Sequence, residues 1–354
     1  MAIKDDGLHY DYTKIDGYNK PFNFIMSSRE LGKTAMFWFK KAYKKWKVNK
    51  KPWIYLVRKS VEITETLITS IADTIINKFT DDSVEFQYNK GTFKDGITDV
   101  KINGEVFFRI VSLSIDLRRI KLAVLKNVAG VFMDEYIIDP RTDEKYQTNE
   151  AFKIKEAYTT WRREADGILK FYIAGNPYSF YNPLFVDWKV DVSSLRKDEF
   201  YVGEIFVIHW CSLNPQLRAK LLELNPLYEF DEDYSGYALE GQAINDRNIK
   251  VIPNLPHNYS LRFVFKHNNR YIGVWRNNNW IESEDKFYCK FESEISARRT
   301  IYCFEFAELV DRSIVMSIDE RQKVQRFKEA FRKREIAFSD VNCYYFIEEI
   351  YKNI

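Results

Sequence analysis

Residues 22–34 read Phe22-Asn23-Phe24-Ile25-Met26-Ser27-Ser28-Arg29-Glu30-Leu31-Gly32-Lys33-Thr34, and a helical pattern continues to Trp46. An apolar run, a polar turn and Gly-Lys-Thr opening a helix is how a chain builds a phosphate cradle. Phosphate needs inward backbone N–H groups at the positive end of a helix. It also needs a lysine that reaches the terminal phosphates and a hydroxyl for Mg²⁺. Gly32, Lys33 and Thr34 supply the last part of that set, after a turn made of Ser27, Ser28, Arg29, Glu30 and Leu31. Ser27 stands where the GxxxxGK[ST] pattern has its first glycine, so the match is partial. The plain alternative is a strand-to-helix turn that happens to contain Gly-Lys-Thr.

Two further strand tips extend the pattern. Gly130-Val131-Phe132-Met133-Asp134-Glu135 is an apolar run ending in two acids. Asp134 can hold Mg²⁺ through water, and Glu135 can polarise an attacking water. An acidic turn after a strand is common alone. Downstream of residues 27–34 it makes nucleotide hydrolysis the expected chemistry. Phe171-Tyr172-Ile173-Ala174-Gly175-Asn176-Pro177 ends another buried-type strand in Asn176. In additional-strand P-loop ATPases a polar residue here senses the γ-phosphate and water; the alternative is an Asn-Pro turn.

Around these turns, residues 22–26, 53–57, 106–111, 128–133 and 169–174 read as strands. Several are apolar at every position, as parallel strands covered on both faces are. Residues 34–46, 60–79 and 151–163 are long enough for crossover helices, so an α/β sheet is expected. Residues 213–227 read as a helical connector. Residues 261–265, 271–275 and 280–284 alternate between Asn-rich turns and predict an antiparallel meander. Residues 318–354 predict helices split near Ser339-Asp340.

The 354 residues suggest about two domains. The expected division is 1–205 for the α/β domain, 206–242 for the connector and 243–354 for a smaller α+β domain. Charged residues are 30% and hydrophobic ones 45%, which excludes a disordered chain. No apolar stretch is long enough to span a bilayer, and Met1-Ala2-Ile3-Lys4-Asp5-Asp6 has no apolar leader run. An intracellular, membrane-free protein is expected. With 54 basic and 51 acidic residues, any nucleic-acid contact must come from local patches. Cys211, Cys289, Cys303 and Cys343 show no CxxC spacing, which argues against zinc.

The phosphate-loop variant with Arg29, the tip Met133-Asp134-Glu135, and Asn176 through Asn182-Pro183-Leu184-Phe185 resemble the DNA-packaging ATPases of small short-tailed phages with protein-primed genomes. Phe263-Val264-Phe265 and Ile272-Gly273-Val274-Trp275 also fit. That family is akin to large terminases and the FtsK/HerA translocases. The resemblance implies an additional-strand P-loop ATPase domain, a mostly parallel sheet with helices on both faces, followed by a small α+β ribonuclease H-like domain. It implies ATP and Mg²⁺ as ligands, with Thr34 and Asp134 on the metal and Glu135 as the base. It also implies a homomeric ring, a pentamer, that acts on double-stranded DNA at a capsid portal. The expected location is the host cytoplasm, transiently at the portal vertex of the procapsid, and not the mature virion. A neighbour's basic residue then completes each site. Arg162 lines up with the family's arginine finger and Lys121 with a second trans-acting base. For both, a solvated surface cation is the alternative. Whether Arg163 shares that role stays open. Arg58, ending the second strand, is a candidate for holding Glu135 in an inactive pose or sensing nucleotide. Tyr12 and Tyr18 are candidates for stacking on the base, with core packing the stronger alternative.

Residues 40–51 contain seven lysines, read first as the solvated face and end of a helix. Loops near Lys59 are the better candidates for facing a pore. The second domain opens with Leu261-Arg262-Phe263-Val264-Phe265-Lys266, which offers no carboxylate. A two-metal nuclease needs clustered acids, so nuclease activity is expected to be lost. In relatives this domain binds a structural RNA or the portal. Arg298-Arg299 and the basic face 321–334 are candidates here, and use of an RNA stays open. Rival readings are another FtsK/HerA-class DNA translocase and a non-hydrolysing nucleic-acid-binding scaffold.

Overall fold

The computed structural model describes residues 7–351 except 140–141, 143, 179–181, 191–193, 240–248, 268–269 and 294–298. The chain forms two units, Met1–Ile244 and Asn245–Ile354. The expected break between 242 and 243 falls outside the described residues.

The first unit is built on eight strands: β1 Phe22–Ser27, β2 Trp53–Val57, β3 Ile97–Ile102, β4 Glu105–Ser112, β5 Gly130–Met133, β6 Phe171–Gly175, β7 Phe200–Val202 and β8 Phe206–Cys211. Their order is β3-β4-β2-β5-β6-β1-β8-β7. The inner strands are parallel, and only the end pairs β3–β4 and β7–β8 are antiparallel. Every residue of β1, β2, β5 and β6 is buried. That is why these strands read as continuous apolar runs. The phosphate-loop strand β1 and the acidic-tip strand β5 are not neighbours; β6 pairs with both. That intervening strand brings Asn176 to Lys33.

The helix after the phosphate loop covers residues 33–49, with a π-helical stretch at Phe37–Tyr43. It buries Phe37 stacked on Phe132, centroids 3.9 Å apart, and Trp38 edge-on to Tyr55. The expected helix 60–79 begins only at Glu65. There the Thr64 side chain accepts from the Leu67 N–H, and a separate turn occupies Ser60–Glu62. The crossover helix before β6 is Glu150–Trp161. Phe206–Cys211, expected to open a helical connector, is instead a strand paired parallel to β1. Helix begins at Pro215 and runs to Leu224, capped by Asn214.

The second unit carries β9 Tyr259–His267, β10 Arg270–Asn277, β11 Phe287–Phe291, β12 Ile301–Cys303, β13 Ser313–Val315 and β14 Ile336–Phe338. Their order is β13-β12-β9-β10-β11-β14. β9 and β10 form the expected antiparallel pair, and the third strand of the meander is β11, beyond the expected 280–284. β12 and β13 add in parallel on the other edge of β9, and β14 pairs parallel to β11. Residues 280–284, expected as a strand, form a turn. The Lys286 ammonium fastens it by donating to the Ile281 and Ser283 carbonyls. The tail divides at Asp340 as expected, with its carboxylate accepting from the Cys343 N–H. The short strand β14 before it was not anticipated.

Candidate nucleotide site

The phosphate loop leaves β1 at Ser27 and turns through Arg29–Leu31 into Gly32. Gly32 has φ +72°, and a Cβ there would lie 2.9 Å from His9 Nδ1. Both the left-handed backbone and the close approach require glycine. Lys33 is 4% exposed. Its ammonium donates to Ser28 O at 2.9 Å, Ser27 O at 3.0 Å, Asn176 Oδ1 at 3.0 Å and Ser27 Oγ at 3.1 Å. Burial lowers its pKa to about 8, partly opposed by Asp134. The serine that departs from the glycine pattern thus helps to seat the lysine. Ser28 Oγ is buried in the same turn without a hydrogen-bond partner. A buried cation beside an unsatisfied hydroxyl suits a phosphate.

Thr34 Oγ1 donates to Asp134 Oδ2. A hydroxyl and a carboxylate oxygen in contact form the hard donor set that Mg²⁺ prefers. The Glu135 N–H donates to Asp134 Oδ1 at 3.0 Å. Burial holds the Asp134 carboxyl above the usual range; burial, then the Asp134 charge, do the same for Glu135. Glu135 has φ +51°, a strained conformation for a side chain of this kind. Asn176 is buried, and its amide also donates to the Tyr178 hydroxyl. Arg29 is exposed, Leu31 is buried, and Glu30 accepts from the Tyr228 hydroxyl.

Arg58 reaches the turn from β2. Its Nη1 donates to Glu135 O at 3.2 Å and its Nη2 to Tyr136 O at 3.1 Å. The guanidinium pairs with Glu150, Nε to Oε2 3.0 Å, and both side chains are buried. Sequence reasoning did not single out Glu150. A carboxylate in the first turn of a helix reads as a dipole partner, and nothing local marks it as Arg58's counter-ion.

Lys121 and Arg162 lie elsewhere. Lys121 Nζ binds Glu156 Oε2 at 2.7 Å. It lines a cavity of about 610 Å³ with Leu117, Arg118, Leu122, Glu156, Thr159, Thr160 and Arg163, none of them from the phosphate loop. Arg162 is exposed in the turn ending the Glu150–Trp161 helix. Tyr12 is core: it packs edge-on to Phe37 and Tyr172, and its hydroxyl donates to Lys33 O. Tyr18 packs at a tilt against Phe200, centroids 4.6 Å apart. Within the lysine run, Lys41, Lys47, Lys50 and Lys51 are paired with Asp16, Asp82, Glu105 and Asp166. Four of the seven lysines are thus paired, and Lys41, expected on a solvated face, is buried instead. The Lys59 N–H donates to Glu62 Oε1 at 2.6 Å. In the second unit, Arg299 is exposed and Arg298 lies outside the described residues. The face 321–334 buries Phe327 and Ala330 and exposes Arg326 and Arg332.

Strand order and turn chemistry together define an additional-strand P-loop fold. No family model matches the chain, and no curated protein matches it. Among solved structures, a chain of the bacteriophage Phi-29 viral genome packaging motor assembly is similar over 98% of this chain and 99% of its own. Its TM-score is 0.68 at 18% identity. The Phi-28 gp11 DNA packaging motor is similar over 98% of each chain, with a TM-score of 0.59 at 13% identity. At these identities the likeness establishes a shared fold along the whole chain.

Proposed function

We propose that the chain is an ATP-driven motor that moves double-stranded viral DNA into a preformed capsid. The observation that carries this reading is the convergence of Lys33, Thr34, Asp134, Glu135 and Asn176 at adjacent strand tips, in a fold shared with packaging motors. Lys33 and the loop N–H groups would take the β- and γ-phosphates, and Asn176 the γ-phosphate. Thr34 and Asp134 would hold Mg²⁺, which neutralises phosphate charge when bound. Glu135, its proton affinity raised by burial, would accept a proton from the attacking water. Arg162 and Lys121, away from their own loop, suit service to a neighbour's nucleotide in a homomeric ring, a pentamer docked on the portal. DNA contacts of such a motor go to phosphates, so binding is salt-sensitive and sequence-independent.

The second unit supports a ribonuclease H-like reading through its meander extended by parallel strands. We infer that it has lost nuclease activity. Where β9 ends, the buried Lys266 donates to Glu308 O, and His267 lies between Glu308 and Glu349. The nearby acids thus already face the His267 ring, and the Lys266 ammonium occupies the Glu308 carbonyl.

The test is duplex-stimulated ATP hydrolysis. Lys33→Ala should lose most ATP binding and turnover. Glu135→Gln should bind ATP normally and lose hydrolysis by at least about 100-fold, within the range of general-base removal. Normal turnover by Glu135→Gln would reject the assignment.

A further inference from the structure

We propose that the buried Arg58–Glu150 pair ties the turn carrying Glu135 to the helix carrying Arg162, so that Glu150 positions the base of its own subunit and the arginine offered to a neighbour. The inference rests on the ATPase reading above.

Arg58 is 3% exposed and Glu150 4%. All three guanidinium nitrogens are engaged. Nε donates to Glu150, Nη2 to Glu150 Oε1 and Tyr136 O, and Nη1 to Glu135 O. The planar fork therefore grips the catalytic turn by its backbone on one side and a carboxylate on the other, a geometry that lysine cannot reproduce. Glu144 Oε1 stands 3.6 Å from Nη1 and is more exposed. Glu150 is doubly held, since its Oε2 also accepts from the Gln147 N–H at 2.8 Å.

Glu150 begins a helix of 12 residues. At about 1.5 Å per residue it is a rigid rod roughly 18 Å long. Its far end is anchored by Trp161, fully buried, whose indole donates to Ile120 O, and Arg162 follows directly. Glu135, whose carbonyl Arg58 grips, and Asn149, just before Glu150, both have positive φ, +51° and +56°. Asn tolerates that backbone readily but Glu does not, so the turn at Glu135 holds its shape against a fixed partner. Arg58 and Glu150 are that partner. A shift of the Glu135 turn must move Arg58, break the pair or carry Glu150 with it. Separating two buried charges is costly, which favours the last.

The experiment uses full-length Glu150→Gln. Its ATP dissociation constant should stay within about twofold while kcat falls about 10- to 100-fold, the cost of misplacing a reacting group by about 1 Å. Next come mixed rings. Glu135→Gln mixed with Arg162→Ala should recover hydrolysis, since some interfaces pair an intact base with an intact finger. Glu150→Gln mixed with either variant should stay well below the Glu135→Gln and Arg162→Ala mixture, because every interface that gains one intact group still carries one displaced group. Recovery to the level of that mixture with Arg162→Ala would show an intact finger, and the same recovery with Glu135→Gln an intact base. Either result, or a normal kcat, overturns the proposal. If the Glu135→Gln and Arg162→Ala mixture itself stays silent, the trans reading of Arg162 fails, and with it the proposed tie. Should Glu150→Gln lose nucleotide binding or melt early, Glu150→Asp carries the same test. It keeps the charge and shortens the reach, with a smaller kcat loss expected and the same two overturning results.

Discussion

Lys33 is the residue on which the site turns. In the free chain its ammonium is wrapped by the Ser27 and Ser28 carbonyls and Asn176. A bound phosphate would replace those neutral acceptors with charge. Burial holds its pKa near 8, below the usual lysine range, and a phosphate partner raises it again. Below pH 8 the free chain already carries the proton, so binding needs none. Above pH 8 binding must take one up. ATP affinity should therefore hold between pH 7 and 8 and weaken by up to tenfold per pH unit above it, as expected for one linked proton. Calorimetry in buffers of different ionisation enthalpy should show proton uptake growing through pH 8. A flat affinity to pH 9.5 would contradict a depressed Lys33. Lys33, Thr34, Asp134, Glu135 and Asn176 were legible because each sits in a short strand-then-turn pattern. The Arg58–Glu150 pair was not, because its members are 92 residues apart and meet only in the folded sheet.

At the scale of elements, the phosphate-loop helix is held to the sheet by aromatic packing. Phe132 is fully buried, stacked on Phe37 and edge-on to Trp38. Phe132→Ala should cost about 3–5 kcal/mol, read as a lower urea midpoint with an unchanged slope. A loss under about 1 kcal/mol would contradict the packing. Strands buried on both faces were readable because nothing polar interrupts them. β3 was overlooked although Ile97-Thr98-Asp99-Val100-Lys101-Ile102 alternates ahead of Asn103-Gly104, a strong hairpin signal. β7, β13 and β14 have three residues each, too few for a period to emerge. The opposite error fell on residues 280–284. They alternate like a strand, but the Lys286 ammonium ties their carbonyls into a turn.

For the whole molecule, a formal charge of only +3 means that duplex DNA must be held by local cations. The bases at 41–51 are mostly committed to acidic partners, so grip is expected from other surfaces. The second unit should not cut DNA. Linear duplex incubated with the full chain and Mg²⁺ or Mn²⁺ should stay intact on a gel, and metal-dependent cleavage abolished by removing residues 245–354 would refute that. The central claim is that ATP hydrolysis moves the chain along DNA. Displacement of a triplex-forming oligonucleotide from a linear duplex measures this directly. Wild-type chain with ATP and Mg²⁺ should release the oligonucleotide, and Glu135→Gln, or wild type with a non-hydrolysable analogue, should leave it bound. Equal release by Glu135→Gln, or none by wild type that hydrolyses ATP on the same DNA, would contradict the account.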